Sequence, residues 1–271
     1  MAKVKAFAEV LAVFTLTFLV IFAVRLTPVW LWQRSHLGYE FINSALMFCI
    51  PVLLLVATRR DLKEYGLRFA RIGRQLAIVA ACLVPVGAAN MVHAYVDHTS
   101  LSGSLVLAAD NILLLLVLAW ILKPRAPSAA TKAFVVFPLL IFPASIQDAD
   151  SAQHLLAIIY CVFFVGFGEE MFNRGYVQSR LNAVFGRPYV FFGVSWGWGL
   201  VFSSLLFGFG HFFTHFNPFL GELSIHWWWG FWTVFSGLVF GYLRERTGSI
   251  FVPAVIHGLP LAVAYVFFGA G

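Results

Sequence analysis

The chain has 271 residues, 61% of them hydrophobic and 17% aromatic, with only 11% charged and a mean hydropathy of +0.87. A soluble domain of this size carries roughly a quarter charged residues, so the composition excludes a soluble globular protein and indicates a multi-pass membrane protein. The formal net charge of +6 then calls for no nucleic acid partner; it reads as the lysine and arginine excess of cytoplasmic loops beside a lipid bilayer.

Taken in order, the apolar windows predict an all-α polytopic transmembrane bundle of about eight to nine membrane segments. They lie near Ala6–Val24, Tyr39–Thr58, Leu76–Tyr95, Leu105–Leu122, Ala133–Ile146, Gln153–Leu181, Trp196–Phe212, Trp227–Leu243 and Ile250–Gly269. The first follows a basic Met1–Lys5 but is long enough to span, and no small-x-small site precedes Arg25, so a cleavable signal is not expected. Between the second and third, Arg59–Gln75 reads as an interfacial amphipathic piece with its basic residues towards head groups. The fifth is short and carries Pro138 and Pro143, which suits a kinked or re-entrant segment. Cys49, Cys82 and Cys161 fall in apolar runs without metal or redox spacing and read as buried thiols.

Loop charges set the expected topology. Arg59, Arg60, Lys63, Arg68, Arg71 and Arg74 follow segment two; Lys123, Arg125 and Lys132 follow segment four. Arg180 and Arg187 follow segment six, and Arg244 and Arg246 follow segment eight, whereas the loops after segments three, five and seven contain no lysine or arginine. This alternation predicts a cytoplasmic N-terminus and an outside C-terminus, in a plasma membrane of bacterial type. Arg25 and Arg34, after segment one, depart from it.

The chemistry concentrates in Gly166-Phe-Gly-Glu-Glu-Met-Phe-Asn-Arg-Gly175. Glu169 and Glu170 are adjacent carboxylates inside an apolar helix, where ionised groups are costly and are rarely kept without a partner or a task. Arg174 lies four residues after Glu170, on the same helical face, and can neutralise it. Glu169 points about 100° away and has no cation in its own turn. Two lone histidines, His211 at the close of segment seven and His257 in segment nine, are the other conspicuously embedded ionisable groups of this half. At 1.5 Å per residue Glu169 stands roughly 18 Å above Leu181, and His211 roughly 22 Å above Trp196. Carboxylate and imidazole can therefore meet at one depth on antiparallel helices, around a water that Glu169 would deprotonate.

These runs (Glu169-Glu170-x-x-x-Arg174-Gly175, Phe207-x-x-x-His211, and Thr247-Gly-Ser with Pro253 and His257) resemble the CPBP family of intramembrane glutamate proteases. That family comprises CAAX-prenyl endopeptidases, bacteriocin-processing enzymes and Abi-like proteins. The resemblance covers roughly residues 152–268 and divides the chain into residues 1–150, without a recognised motif, and a catalytic helix core at 151–271. It implies that Glu169 and His211 activate water, that Glu170 with Arg174 holds the site, and that His257 helps form an oxyanion hole. The implied partner is a membrane-bound protein or peptide substrate, and no cofactor is implied. Two departures stand out. The family usually has Asn four residues after the last His, where this chain has Leu261, leaving Asn173 and Asn217 as weak substitutes. The stretch from Pro188 to Phe207 is longer than the family's usual spacing and rich in Trp and Gly.

Other readings stand beside this one. Glu170–Arg174 suits a structural helix pair equally well, and each histidine alone suits a packing residue satisfied by a backbone carbonyl. The pair Gly166 and Gly168 would admit a substrate backbone or serve plain helix packing. Gly193-Val-Ser-Trp-Gly197 matches a nucleophile elbow in letters only, for lack of an α/β sheet. Asp110 and Asn111 would line a polar cavity or meet a basic residue; His93, His215 and His226 read as polar residues near interfaces, and Trp227–Trp229 as an aromatic belt. The chain has no His-Glu-x-x-His run, so zinc held by two Glu and two His ranks below the metal-free reading. An intramembrane endopeptidase is the expected function. The alternatives are an inactive relative acting as an immunity or binding protein, and a transporter using Glu169, Glu170 and Asp110 as an ion relay.

Overall fold

The computed structural model describes residues 1–68, 70–123, 151–214, 216, 221 and 223–268. Eight of the nine expected segments coincide with helices, and the remaining one, at 133–146, lies outside the described residues. The protein is an all-α integral membrane bundle. Four of its described helices are long and apolar enough to cross a bilayer, and a bent helix pair makes a fifth candidate span. Large apolar side chains such as Leu16, Leu53, Leu113, Trp120 and Phe163 are exposed on the helix exteriors, as a lipid-facing surface requires.

Helix α1 (Ala2–Arg25) runs into a short helix that was not expected, α2 (Pro28–Leu37). Pro28 sits at the first helical position, where a missing N–H costs nothing, and Gly38 ends the helix at φ +73°. Helix α3 (Phe41–Ala57) then turns away from α2 by 120°. At this corner Glu40 meets Arg25 at 3.4 Å and Arg34 at 3.8 Å. The two arginines that break the loop-charge alternation are therefore both paired with one carboxylate.

In the expected interfacial piece, the 59–71 linker has no helix among its described residues (59–68, 70 and 71). It forms turns folded back on the bundle, where the Ile250 N–H donates to the Gly66 carbonyl at 3.0 Å. Its Arg59, Lys63, Arg68 and Arg71 remain exposed. Cys82 and Cys161 are buried as expected, but Cys49 is exposed.

Helices α4 (Ile72–Tyr95) and α5 (Leu101–Ile121) follow, the latter capped by Ser100, whose hydroxyl accepts from the Gly103 N–H at 3.1 Å. Here Asp110 meets His93 at 3.6 Å, and the Asn111 side-chain Oδ1 accepts from the Ser236 hydroxyl at 3.0 Å. Asp110 thus meets a basic residue of another helix, one of its two expected readings, and His93 is its partner rather than a separate interfacial residue.

Helix α6 (Ala152–Phe185) carries the central motif. The long Pro188–Phe207 stretch is explained by a hairpin, β1 (Tyr189–Phe191) and β2 (Val194–Trp196), paired antiparallel with Tyr189 opposite Trp196. Phe192 and Gly193 at its tip both have positive φ, +46° and +78°, the pattern of a two-residue type I′ turn. Ser195 sits inside β2, not on a strand-to-helix elbow, so the nucleophile-elbow pattern is a coincidence of letters. Helices α7 (Trp198–His211), α8 (Trp227–Thr247) and α9 (Phe251–Phe268) complete the bundle. α7 packs along α8, α8 along α5, and α9 against both α6 and α4. Apolar core residues include Phe14, Leu55, Phe172 and Leu181 between α1, α3 and α6, and Cys82, Leu118, Leu243 and Ile256 between α4, α5, α8 and α9.

Candidate active site

Two wide π-helical turns, Ile159–Gly166 and Met171–Gln178, flank the single α-helical turn Phe167–Glu170. Such turns change the rotational phase of every side chain beyond them and recur at functional positions. Glycines then bring the neighbouring helices to backbone contact. A Cβ on Gly166 would strike the Ala254 carbonyl of α9, and one on Gly168 would stand 2.5 Å from the Ser44 carbonyl of α3. A Cβ on Gly258, next to His257, would meet Val162 Cα at 2.6 Å. Gly166 and Gly168 are thus filled by the protein's own backbone and do not hold space for a substrate. Their effect is to press α9 and α3 onto α6 at the level of the carboxylates.

Glu170 and Arg174 pair at 3.0 Å with both side chains fully buried. The second guanidinium arm donates to the Gly237 carbonyl at 3.1 Å, tying α6 to α8. The guanidinium plane stands 4.4 Å from the Phe207 ring centroid and 5.3 Å from that of Phe240, a cation–π setting that suits a desolvated arginine. The same Glu170 oxygen that meets Arg174 also lies 3.0 Å from His257 Nδ1. His257 is stacked on Phe240, with centroids 4.7 Å apart and planes within 15°, and its Nε2 faces Glu169 Oε2 at 3.9 Å. One imidazole therefore bridges the two adjacent carboxylates. Glu169 Oε2 and Glu170 Oε2 are buried and have no hydrogen-bond partner among the described residues, so each keeps free acceptor capacity.

His211 closes α7. Its Nδ1 lies 2.8 Å from the Phe207 carbonyl one turn back, and its ring packs on the Phe207 ring at 4.5 Å. A carbonyl only accepts, so Nδ1 carries the proton and Nε2 keeps a lone pair in the neutral ring. His211 is within electrostatic range of Glu169 and His257, and the Phe207 ring touches both histidines, at 4.5 and 5.8 Å.

The five residues singled out from sequence, Glu169, Glu170, Arg174, His211 and His257, converge on one buried region. Their pairing differs from expectation. His257, not His211, makes the short contact with Glu169, and it is also held by Glu170. Axial rise placed the groups at one depth but carried no information about rotation, which the wide turns of α6 alter. Asn173 does not offer its amide. It is 2% exposed, and its Nδ2 donates to the Glu169 backbone carbonyl at 2.9 Å. Asn217 and His215 lie outside the described residues.

Sequence reasoning missed Phe240, for which an apolar run gives no signal, and Tyr160. The Tyr160 ring stacks on Tyr39 at 4.7 Å and lies within electrostatic range of Glu169. A lone phenol in the run before the carboxylates was the available clue. Among the described residues no three His, Cys, Asp or Glu side chains are grouped as a metal site.

Residues 151–260 match the family model described as "Type II CAAX prenyl endopeptidase Rce1-like". This stretch is similar to that family. It spans α6, the hairpin, α7, α8 and the first half of α9, and so contains all five converging side chains. At the family level the Rce1-like domain is that of a CAAX-type intramembrane peptidase. No curated protein and no solved structure matches the chain.

Proposed function

We propose that the protein is a glutamate-dependent intramembrane endopeptidase that cleaves a peptide bond in or near a membrane-associated segment. The observation that carries this is the bridging of Glu169 and Glu170 by His257 at 3.9 and 3.0 Å, inside the Rce1-like stretch. Glu170, neutralised by Arg174, fixes His257 with Nδ1 protonated. Glu169, which lacks a cation of its own, accepts a proton from water as general base. The His211 Nε2 lone pair holds that water. The hydroxide adds to the scissile carbonyl, and His257, doubly protonated between the two carboxylates, donates its Nε2–H to the developing oxyanion. Glu169 then returns its proton to the leaving nitrogen as the C–N bond breaks. No acyl-enzyme forms.

Mass spectrometry of membrane proteins from cells with wild-type protein and with Glu169→Gln tests this. Loss of cleaved species at normal expression is the expected result; an unchanged set of cleavage products sinks the proposal.

A second reading has an observation of its own. Leu261 stands one turn beyond His257 in place of an amide, and the Asn173 amide is committed to backbone. An inactive relative that binds its target would tolerate both. That reading requires the Glu169→Gln phenotype to equal wild type.

A further inference from the structure

Away from the two glutamates, where α6 and α8 end, an open pocket of about 570 Å³ lies between the 59–71 linker, these helix ends and the hairpin. Lys63, Arg68, Arg187, Arg244 and Arg246 line it, against Glu64 and Glu245. Five cations less two carboxylates leave a surplus of three positive charges in one cavity. Glu245 is already engaged, by Arg187 at 2.6 Å and by the amides of Gln178 and Asn182 at 2.8 and 2.5 Å.

Arg244 is the exceptional member. It is 4% exposed, yet no described carboxylate lies within ion-pair distance of it. One arm is divided between the Glu64 carbonyl and the Ser179 hydroxyl, each at 3.0 Å, and its Nε finds no acceptor. A buried guanidinium held only by neutral oxygens is costly unless an anion joins it. Lys63 and Arg68 stand exposed at the pocket with no ion pair among the described residues. Ser195, the serine of the rejected elbow pattern, lines the same pocket and is exposed. Ser179 follows Glu170 by nine residues, roughly 13 Å along the helix, so this is not the hydrolytic site.

We propose that this pocket binds a phosphate group, carried by an anionic phospholipid or free in solution. A carboxylate would leave most of the surplus charge in place. A phosphate brings up to two charges and several acceptor oxygens, which guanidinium forks match in pairs. The position at the basic end of the bundle also suits a head group.

The test uses the full-length protein purified in detergent. Its unfolding midpoint is measured in phosphatidylglycerol and in phosphatidylcholine nanodiscs, and in inorganic phosphate against chloride at matched ionic strength. Phosphatidylglycerol alone raising the midpoint assigns the phosphate to lipid; inorganic phosphate raising it as well assigns a free anion, and either upholds the site. Arg244→Gln is expected to abolish the shift. Because that variant risks misfolding, Lys63→Gln with Arg68→Gln, both on the surface, is the deciding pair and is expected to lose at least half of it. Equal midpoints across lipids and salts for wild type, or an unchanged shift in the surface pair, overturns the proposal. The outcome is independent of the Glu169→Gln result.

Discussion

Glu9 and Glu169 are both carboxylates set in apolar helices, and both touch the same helix, α6. Glu9 on α1 accepts from Arg60 at 2.6 Å, from two arms of Arg180 at 3.0 and 2.9 Å, and from Tyr176 at 2.9 Å. Its two oxygens are saturated, and the network ties α1 to the end of α3 and to α6. Among the described residues the Glu169 carboxylate forms an ion-pair contact with His257 at 3.9 Å, and its Oε2 has no hydrogen-bond donor there. The immediate sequence does not separate them, since each interrupts an apolar run. The number of donors does. A carboxylate whose lone pairs are all occupied is a fastener, whereas one held close to an imidazole with spare acceptor capacity can take a proton.

The sharpest way to break this contrast is to neutralise each acid. Glu169→Gln is expected to lower cleavage by about 10²–10⁴-fold with no loss of expression or thermal stability. A large drop in stability would make Glu169 a fastener too. Glu170→Gln strands Arg174 as an uncompensated buried charge, which costs about 3–5 kcal/mol. The unfolding midpoint and the yield of folded protein report it.

A smaller effect is expected from Gly168→Ala, whose new methyl must displace the Ser44 carbonyl of α3. About 1–3 kcal/mol of overpacking is expected, read as a lowered midpoint. If the glycine instead made room for substrate, KM would rise with the midpoint unchanged. Least costly is Glu9→Gln. The Arg60 and Arg180 side chains that it releases are partly exposed, at 26% and 19%, so about 1–2 kcal/mol is expected. Cleavage per folded molecule should stay at the wild-type level.

Much of the site was legible because its parts are local. Glu170–Arg174 is an i, i+4 pair that any regular helix would align, and it formed although the helix widens there. The lone histidines stood out because nothing near them in sequence was ionisable. The bland reading of His211, satisfied by a backbone carbonyl, also came true at Phe207, and that bond is what frees its other nitrogen. Less visible was everything that needed two distant stretches to be near each other: the Phe207–Phe240 walls, the Glu40 corner that absorbs Arg25 and Arg34, and the basic pocket around Arg244.

The amino-acid sequence alone determined that the chain is a helical membrane protein, because hydropathy, helix period and charge placement are properties of neighbouring residues. It also determined which side chains were too costly to be idle. Only the tertiary structure decided which imidazole meets which carboxylate, and that the glycines beside them are filled by Ala254 and Ser44. Those outcomes depend on the rotation and close approach of whole helices, set by wide turns in α6 and by contacts between residues far apart in the chain.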